Sequence, residues 1–96
     1  MKIEILDAAE QDLVSGFNFY EIQDRGLGHY FLDSVYADIE SLQLYCGIHP
    51  KYFGYHRLLT KRFPFAVYYR HDKEYIRIYA VLDCRKDPKL IHERLA

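Results

Sequence analysis

The stretch from Phe63 to Pro88 constrains the fold of this chain most, because side chains of two kinds alternate along its second half. One set is apolar or carries a thiol and contains Ile76, Ile78, Ala80, Leu82 and Cys84. The other set mixes aromatic, cationic and acidic groups and contains Tyr75, Arg77, Tyr79, Val81, Asp83 and Arg85. A period of two predicts a β-strand with one face on a core and the other turned outward. We therefore expect any functional surface on the outward, mixed face.

Two amphipathic helices, separated by a short break that contains glycine, precede these strands. The first is predicted over residues 7–24, with Asp7 as its N-cap and Glu10 completing a capping box three residues later. The second is predicted over residues 27–45, with Gly47 as its C-terminal cap. Because the break is short, we expect the two helices to run antiparallel as a helical hairpin.

The remaining segments predict a single sheet and a closing helix. Residues 2–6 predict one short strand, and residues 55–60, 63–70 and 75–85 predict three strands joined by tight connections. Asp87 and Pro88 fit the N-cap and first turn of a short C-terminal helix. The hairpin must bury its apolar stripe, and the sheet offers the surface for it. The predicted fold class is therefore α+β, a two-layer β-α-α-β-β-β-α arrangement in a single domain over residues 1–96, with the helical hairpin packed on an antiparallel-meander sheet.

Composition and motifs argue against several classes of protein. The longest apolar runs are far shorter than the roughly 20 residues that a membrane span needs, and the start of the chain is acidic where a signal peptide would be apolar. We therefore expect a cytoplasmic protein with no membrane partner. The five histidines and two cysteines lack metal-ligand spacing, and no phosphate-binding glycine loop or nucleophile motif is present. No metal and no other cofactor is expected.

The formal net charge of -1 hides an uneven distribution along the chain. Residues 1–48 hold two cationic and nine acidic side chains, a net charge of -7, whereas residues 49–96 hold eleven and five, a net charge of +6. Such a division can mean an acidic scaffold that carries a basic functional face, or it can be an ordinary clustering of surface charges. The near-neutral total argues against tight, unaided binding to long nucleic acid.

Cationic and phenolic side chains gather on the predicted sheet and its connections. The candidate functional residues are Arg57, Arg62, Arg77, Tyr79, Arg85 and Lys86. Guanidinium groups are always charged and bind phosphate or carboxylate through two hydrogen bonds. Tyrosine side chains stack on bases or take part in proton transfer. Asp83 lies between two of the arginines in the sequence, and we interpret it as an ion-pair partner.

An ordered set of motifs resembles the RelE/ParE superfamily of toxins from type II toxin–antitoxin (plasmid stabilisation) systems. The segment FYEIQDRGLGHYFLDSV is similar to the pattern YY-x-x-Q-x-x-GLG-x-x-F of that superfamily. His56-Arg57, FPFAVYYR and IYAVLDCRKDP follow in the same order. The resemblance spans nearly the whole chain and implies the same β-α-α-β-β-β-α arrangement.

The resemblance implies a small cytoplasmic toxin that inhibits growth and is neutralised by a cognate antitoxin protein. The antitoxin is expected to lay an extended or helical segment across the hairpin and sheet, with Phe17, Tyr20, Phe31 and Val35 as antitoxin-binding candidates. Without its antitoxin, the toxin could form a homodimer that hides its apolar groove. RelE-like members cut mRNA on the ribosome, whereas ParE-like members bind and poison DNA gyrase.

Some positions of the sequence resemble the RelE-like members and others the ParE-like members. Arg85 matches the arginine that RelE-like nucleases carry near the end of the last long strand, and Arg57 matches the basic residues of an earlier strand. The nuclease arginine of the middle strand, however, falls at about Phe65, and an apolar side chain cannot stabilise the charge of a phosphoryl transition state. FPF and the RKDP ending are more similar to the ParE-like branch, which makes gyrase the leading target.

The alternatives are a RelE-like, ribosome-dependent mRNA endonuclease, with Arg57, Arg62, Arg77 and Arg85 as catalytic candidates, and a degenerate, non-toxic member. Whether the protein is an enzyme stays open on the sequence. For a ParE-like toxin, the target-binding candidates are Arg57, Arg62, Arg77, Tyr79, Arg85 and Lys86.

Overall fold

A computed structural model describes all residues from 1 to 96 and contains nine elements of secondary structure. In chain order they are β1 (Lys2–Ile5), α1 (Asp7–Gln23), α2 (Leu27–Glu40), α3 (Leu42–Tyr45), β2 (Lys51–Tyr52), β3 (Tyr55–Leu59), β4 (Phe65–His71), β5 (Tyr75–Asp83) and α4 (Pro88–Leu95). The predicted α+β order is confirmed, with two additions. The second predicted helix breaks at Ser41, and a two-residue strand forms in the segment predicted as loop. None of the helices is long and apolar enough to span a membrane.

The five strands form one mixed sheet in the order β1-β5-β4-β3-β2. The last four strands are antiparallel neighbours, as a meander requires. After β1 the chain passes through the helical hairpin, and β1 lies parallel to β5, with Lys2 opposite Tyr75 and Ile5 opposite Ile78. β1 covers only the first part of β5, so the edge of β5 beyond Ile78 has no strand partner.

The main core lies between the helical hairpin and one face of the sheet. Its fully buried members include Ala9, Phe31, Val35, Leu42, Val67, Tyr69, Ile76 and Ile78. Burying each large apolar side chain stabilises the fold by about 2 kcal/mol. A smaller cluster lies on the opposite face, where Leu95 of α4 packs on Ala66, Tyr68 and Ala80. α4 therefore covers part of the second face of the sheet.

Glycines set the distance between the two long helices. A Cβ atom at Gly28 would lie 2.7 Å from the backbone oxygen of Phe17, and one at Gly16 would lie 2.6 Å from the ring of Phe31. The Glu21 carboxylate accepts hydrogen bonds from the backbone N–H groups of Gly26 at 3.0 Å and Gly28 at 2.9 Å. These bonds lower the pKa of Glu21 and satisfy the N-terminus of α2 from the neighbouring helix.

The capping box predicted at Asp7 and Glu10 is wrong. Leu6 occupies the N-cap position, and no side chain caps the first turn of α1. The Leu6 N–H donates to Ile78 O at 3.0 Å, which extends the β1 pairing by one bond, and Leu6 O accepts from Glu10 N at 2.9 Å. Because sheet pairing holds Leu6 at the helix start, Asp7 already lies inside α1.

A β-bulge at Tyr79 overturns the continuous alternation predicted for β5. Tyr68 pairs with Ala80, whereas the next residue, Tyr69, pairs with Ile78. Tyr79 is therefore the extra residue, and the two faces of the strand exchange there. Before the bulge, Ile78 faces the main core; after it, Val81 does so and Ala80 joins the cluster under α4. The predicted mixed face does not continue through the bulge.

Candidate functional site

The six candidate residues lie in three different places. Arg57 lies on β3 and contacts the α4 side of the sheet. Arg77 and Tyr79 lie on the first part of β5, away from α4. Arg62, Arg85 and Lys86 lie at the opposite end of β5, where the Cys84 N–H donates to Pro64 O at 2.8 Å and joins the β3–β4 connection to the strand end. The six residues predicted from the sequence therefore form three separate groups in the structure and not one site.

Arg57 is a half-buried cation with no carboxylate partner. Its guanidinium lies 4.8 Å from the ring centre of Tyr52 and donates from one terminal nitrogen to Cys84 Sγ at 3.7 Å. Its Nε is buried and has no hydrogen-bond partner. Burial acts to lower the pKa of Arg57, but the contacts with Cys84 and Tyr68 outweigh it, and the pKa is raised. The guanidinium therefore contains one buried N–H group whose hydrogen-bonding capacity is unused.

The charge of Arg85 is neutralised by the carboxylate of Asp83, the last residue of β5. The Nε and a terminal nitrogen of Arg85 donate to the two oxygens of Asp83 at 3.0 and 2.7 Å. This pairing lowers the pKa of Asp83 and raises that of Arg85. The ion pair expected of Asp83 is thus confirmed for Arg85. The guanidinium also lies near Tyr20 of α1, whose pKa burial raises and Arg85 partly lowers.

Arg57 and Arg85 do not converge on one site. Arg57 lies with Cys84 and Tyr68, in the cluster covered by α4, whereas Arg85 lies toward Tyr20 on the α1 side. The position between them in the middle strand is Phe65, which is 8% exposed. The Phe65 ring packs 4.9 Å from that of Phe31, inside the main core. The cations that would have to surround one phosphate in a nuclease are therefore separated by the sheet.

The part of the second sheet face that α4 leaves uncovered carries tyrosines and arginines. We call Tyr55, Arg70, Tyr75, Arg77 and Tyr79 the open face. Arg77 pairs with Asp72 at 2.9 Å and with Glu4 at 3.4 Å, and the Tyr55 and Tyr79 rings meet edge to face at 5.0 Å.

Arg70 and Tyr55 are the members of the open face that the sequence interpretation missed. The guanidinium of Arg70 lies 4.0 Å from the ring centre of Tyr55 and 5.5 Å from that of Tyr79, and its Nε donates to Gly54 O at 3.2 Å. Arg70 lies directly opposite Arg77 in the strand register but has no carboxylate partner. The register, which the sequence did not fix, is what places it there.

A second feature missed by sequence reasoning lies along the unpaired edge of β5. The Asp12 carboxylate accepts a hydrogen bond from Val81 N at 3.0 Å and forms an ion pair with Arg94 at 2.7 Å. These residues line a groove of about 410 Å³ together with Gly16, Phe19, Asp83 and Lys86. Their sequence spacing carries no signal, because α1, β5 and α4 meet only in the folded chain.

The four antitoxin-binding candidates are mostly core residues. Phe31 and Val35 have no exposed surface and Tyr20 is 7% exposed, so a partner cannot touch the first two in this conformation. The predicted stripe faces the sheet, which is why it is buried. Phe17 is half-buried and lines a groove of about 290 Å³ on the outer side of the hairpin. The other lining residues of that groove are Glu10, Leu13, Val14, His29, Leu32 and Tyr36.

No group of three or more histidine, cysteine, aspartate or glutamate side chains is placed to hold a metal ion. Cys46 and Cys84 are free thiols. The absence of a cofactor stays a prediction from the sequence.

Comparison with known proteins identifies the fold. No family model matches the chain, and no curated protein matches it. Among solved structures, it is similar to a chain described as belonging to the chromosomal ParDE TA system from P. aeruginosa, with a TM-score of 0.68 and 19% sequence identity. The match covers 84% of this chain and 92% of the other. It confirms the helix-on-sheet fold that the resemblance to the RelE/ParE superfamily implied.

Proposed function

We propose that this chain is the toxin component of a type II toxin–antitoxin system and acts in the cytoplasm by binding a protein target. The target we favour is DNA gyrase, as for ParE-like members of the superfamily. Two independent observations support this proposal: the ordered motifs across the sequence, and the shared fold with a chain of a ParDE system. Fold alone does not determine function, so the choice of branch depends on the residues of the sheet.

The burial of Phe65 is the main reason that we propose protein binding and not RNA cleavage. A nuclease of this superfamily is expected to hold an arginine there, and the position is instead part of an aromatic cluster with Tyr20 and Phe31. Removing that transition-state contact would cost a nuclease roughly 3 kcal/mol of catalysis. Arg57 and Arg85, which match two other nuclease positions, lie on different sides of the sheet.

We propose the open face as the surface that binds the target. Tyrosine and arginine are the residues that most often contribute strongly to protein–protein affinity. The Arg70 guanidinium packs on the Tyr55 ring, lies near the Tyr79 ring and has no carboxylate partner, so its outer N–H groups can bind an acidic group of a partner. Arg62 and Lys86, which also lack ion pairs, extend the candidate surface toward the end of the sheet.

The antitoxin is expected to cover the outer side of the hairpin. Apolar side chains exposed there include Val14, Ile22, Tyr30 and Tyr36, with Ile22 at 86% exposure. With the acidic charge of residues 1–48, this surface suits an amphipathic segment that carries basic residues. Before the antitoxin binds, the same surface could pair with a second copy of the chain.

A supercoiling assay and an induction experiment test the proposed function together. Purified protein should inhibit supercoiling by gyrase, and induced expression should stop growth while translated mRNA stays intact. Addition of the cognate antitoxin should restore supercoiling. Unchanged supercoiling at saturating protein would reject gyrase as the target. Induction without growth arrest would instead support the degenerate, non-toxic alternative.

The unpaired guanidinium of Arg57 favours a second candidate, the ribosome-dependent endonuclease. Arg57 lines a cavity of about 300 Å³ with His49 and Tyr52 and has no carboxylate partner, so an RNA phosphate could bind there. Under this alternative, induction should produce mapped cleavages within translated messages. Arg57→Ala should abolish these cleavages, whereas Arg25→Ala, a change to an exposed cation on the α1–α2 connection, should not.

A further inference from the structure

Three histidines lie beside Tyr69, a residue with no exposed surface in the main core. The backbone N–H of Gly47 donates to Tyr69 Oη at 2.9 Å, and His49 Nδ1 lies 2.5 Å from the same oxygen. The ring of His56 stacks on that of Tyr69 at 5.1 Å, and the ring of His71 lies 5.3 Å from His56. The tyrosine thereby holds the loop that follows α3.

The hydrogen bonds define which protons the cluster carries. Tyr69 has one hydroxyl proton, and its oxygen already accepts from Gly47. The buried O–H also needs an acceptor, and His49 Nδ1 is the acceptor within reach, so we assign the O–H as donor and Nδ1 as unprotonated. His56 Nδ1 lies 2.7 Å from the backbone oxygen of His49 and donates to it. Neutral His49, with its proton on Nε2, is the form that satisfies every group.

A proton on His49 Nδ1 would break this arrangement. The imidazolium would have to donate to Tyr69 Oη, which would leave the buried tyrosine O–H without an acceptor. A buried, unsatisfied polar group costs roughly as much as a lost hydrogen bond or more. The charge would also face other cationic or ionisable groups: His56 and His71 from the sheet, and Arg57, which lines the same cavity of about 300 Å³ as His49.

The remaining ionisable groups beside this cluster do not offset the charge. The thiol of Cys46 lies near Tyr69, and burial raises the pKa of that thiol, so it stays neutral. Burial also raises the pKa of Tyr69. For His49, burial first and His56 second lower the pKa below its ordinary value of 6.5.

The loop held by this cluster controls the surroundings of Arg57. Pro50 O accepts a hydrogen bond from Arg57 N at 2.9 Å, and β2 begins at the next residue. Tyr52 of β2 supplies the ring that packs on the Arg57 guanidinium. If residues 47–50 leave the sheet, Tyr52 loses its anchor and Arg57 becomes more exposed.

We propose that Tyr69 and His49 form a proton-sensitive clasp that holds residues 47–50 on the sheet near neutral pH and releases them in acid. The clasp is intact above pH 6.5, because His49 is neutral there in both the closed and the open form. As the pH falls through 6.5, the open form takes up a proton more readily than the closed form, and the clasp weakens. The loss is complete once the pH lies below the lowered pKa of the closed form. This inference does not depend on the proposed function.

Side-chain nitrogen NMR of the five histidines and amide exchange at Gly47 test the clasp between about pH 8 and about pH 5. The pKa of His49 should lie below its ordinary value of 6.5. His92, whose ring stacks on Phe53 outside the cluster, provides the position for a control variant. The Gly47 protection factor, corrected for intrinsic exchange, should fall at least about tenfold over this range. An unchanged protection factor, or a His49 pKa at or above 6.5, overturns the proposal.

Two variants separate the clasp from a general loss of stability. His49→Asn keeps a neutral acceptor near Tyr69 Oη, so Gly47 should stay protected at both ends of the pH range. Persistence of the acid-induced loss in His49→Asn would overturn the proposal. Tyr69→Phe should remove Gly47 protection at every pH, and the matched control His92→Asn should behave as the unaltered chain. If Tyr69→Phe fails to fold, the His49→Asn result decides alone.

Discussion

Asp12 of α1 and Arg94 of α4 form a bidentate ion pair across the edge of β5 that β1 leaves unpaired. The two terminal nitrogens of Arg94 donate to Asp12 Oδ1 at 2.8 Å and to Oδ2 at 2.7 Å. The same carboxylate accepts the Val81 N–H at 3.0 Å, so a side chain supplies the acceptor that a neighbouring strand would otherwise provide. The Asp12 side chain is 13% exposed, compared with 32% for Arg94. One residue therefore joins a helix of the hairpin, the central sheet and the closing helix.

Replacing Asp12 by asparagine should destabilise the chain by about 2 kcal/mol, the usual size of a charge-assisted hydrogen bond. Asparagine can still accept from Val81 N but loses the charge that pairs with Arg94. Urea unfolding gives the difference in the free energy of unfolding. Asp33→Asn, at an exposed position of α2 with no ion pair, is the matched control and should change stability little. Equal effects of the two substitutions would show that the Asp12 pair contributes nothing.

Gly28 should tolerate a side chain less well than Gly26, although the two glycines are neighbours in the same motif. A Cβ at Gly28 meets the backbone of Phe17 at 2.7 Å, and helix backbone cannot move aside as a flexible side chain would. Gly28→Ala should cost about 3 kcal/mol through overpacking. Gly26→Ala meets open space but has a φ of +89°, and should cost about 1 kcal/mol. Thermal and urea unfolding measure both; a larger cost at Gly26 would contradict the close helix packing.

The fold was predictable wherever periodicity and local turn chemistry agreed. The Asp87 cap is an example: its side chain accepts from Lys89 N at 2.9 Å, as a helix start after Asp-Pro requires. The exchange of faces in β5 was not predictable, because a bulge adds one residue without changing the composition of the strand. Glu21 was not recognised as a cap either, since it lies on the preceding helix. A local sequence pattern does not reveal contacts that form only because the chain reverses direction between α1 and α2.

Acid should weaken the β4–β5 turn through Asp72. Its Oδ1 accepts from the backbone N–H groups of Glu74 and Tyr75, both at 2.8 Å, and Oδ2 pairs with Arg77. These bonds, the backbone ones first, lower the pKa of Asp72 from 3.8 to about 2. A carboxylate with a lowered native pKa contributes stability above its unfolded pKa of 3.8, and this contribution is lost as the pH falls through about 2.

Asp72→Asn should therefore flatten the dependence of unfolding free energy on pH over that acidic window. Urea unfolding at a series of pH values compares the variant with the unaltered chain. Asp33→Asn should leave the slope in place. A slope that persists unchanged in Asp72→Asn would mean that other carboxylates produce the acid sensitivity.

The candidate site was predictable in chemistry but not in geometry. The sequence singled out arginines and tyrosines of the sheet as candidates, and the structure places two of them, Arg77 and Tyr79, on the open face. The sequence did indicate Asp83 as an ion-pair partner, and the structure pairs it with Arg85. It could not indicate that Arg57 lies apart from Arg85, because the arrangement of the folded sheet decides that. Arg70 was missed for the same reason: its partners Tyr55 and Tyr79 come from two other strands.

Under the proposed function, Arg70→Ala should weaken inhibition of the target by about 30-fold or more, which is the effect expected of an interface hot spot. The side chain is exposed, yet two tyrosine rings and Gly54 O hold it in one orientation, so little entropy is lost when it binds. Arg70→Lys keeps the charge without the planar, stacked group and should recover only part of the activity. Titration of each variant in the supercoiling assay measures the effect.

Two controls make this test specific to the open face. Arg25→Ala removes an exposed cation from the α1–α2 connection, outside the open face, and should inhibit as strongly as the unaltered chain. Affinity for the antitoxin should be unchanged in Arg70→Ala, because the expected antitoxin surface lies on the hairpin. If Arg70→Ala retains full inhibition while folded, the target must bind elsewhere, and the unpaired cations Arg62 and Lys86 at the end of the sheet become the next positions to substitute.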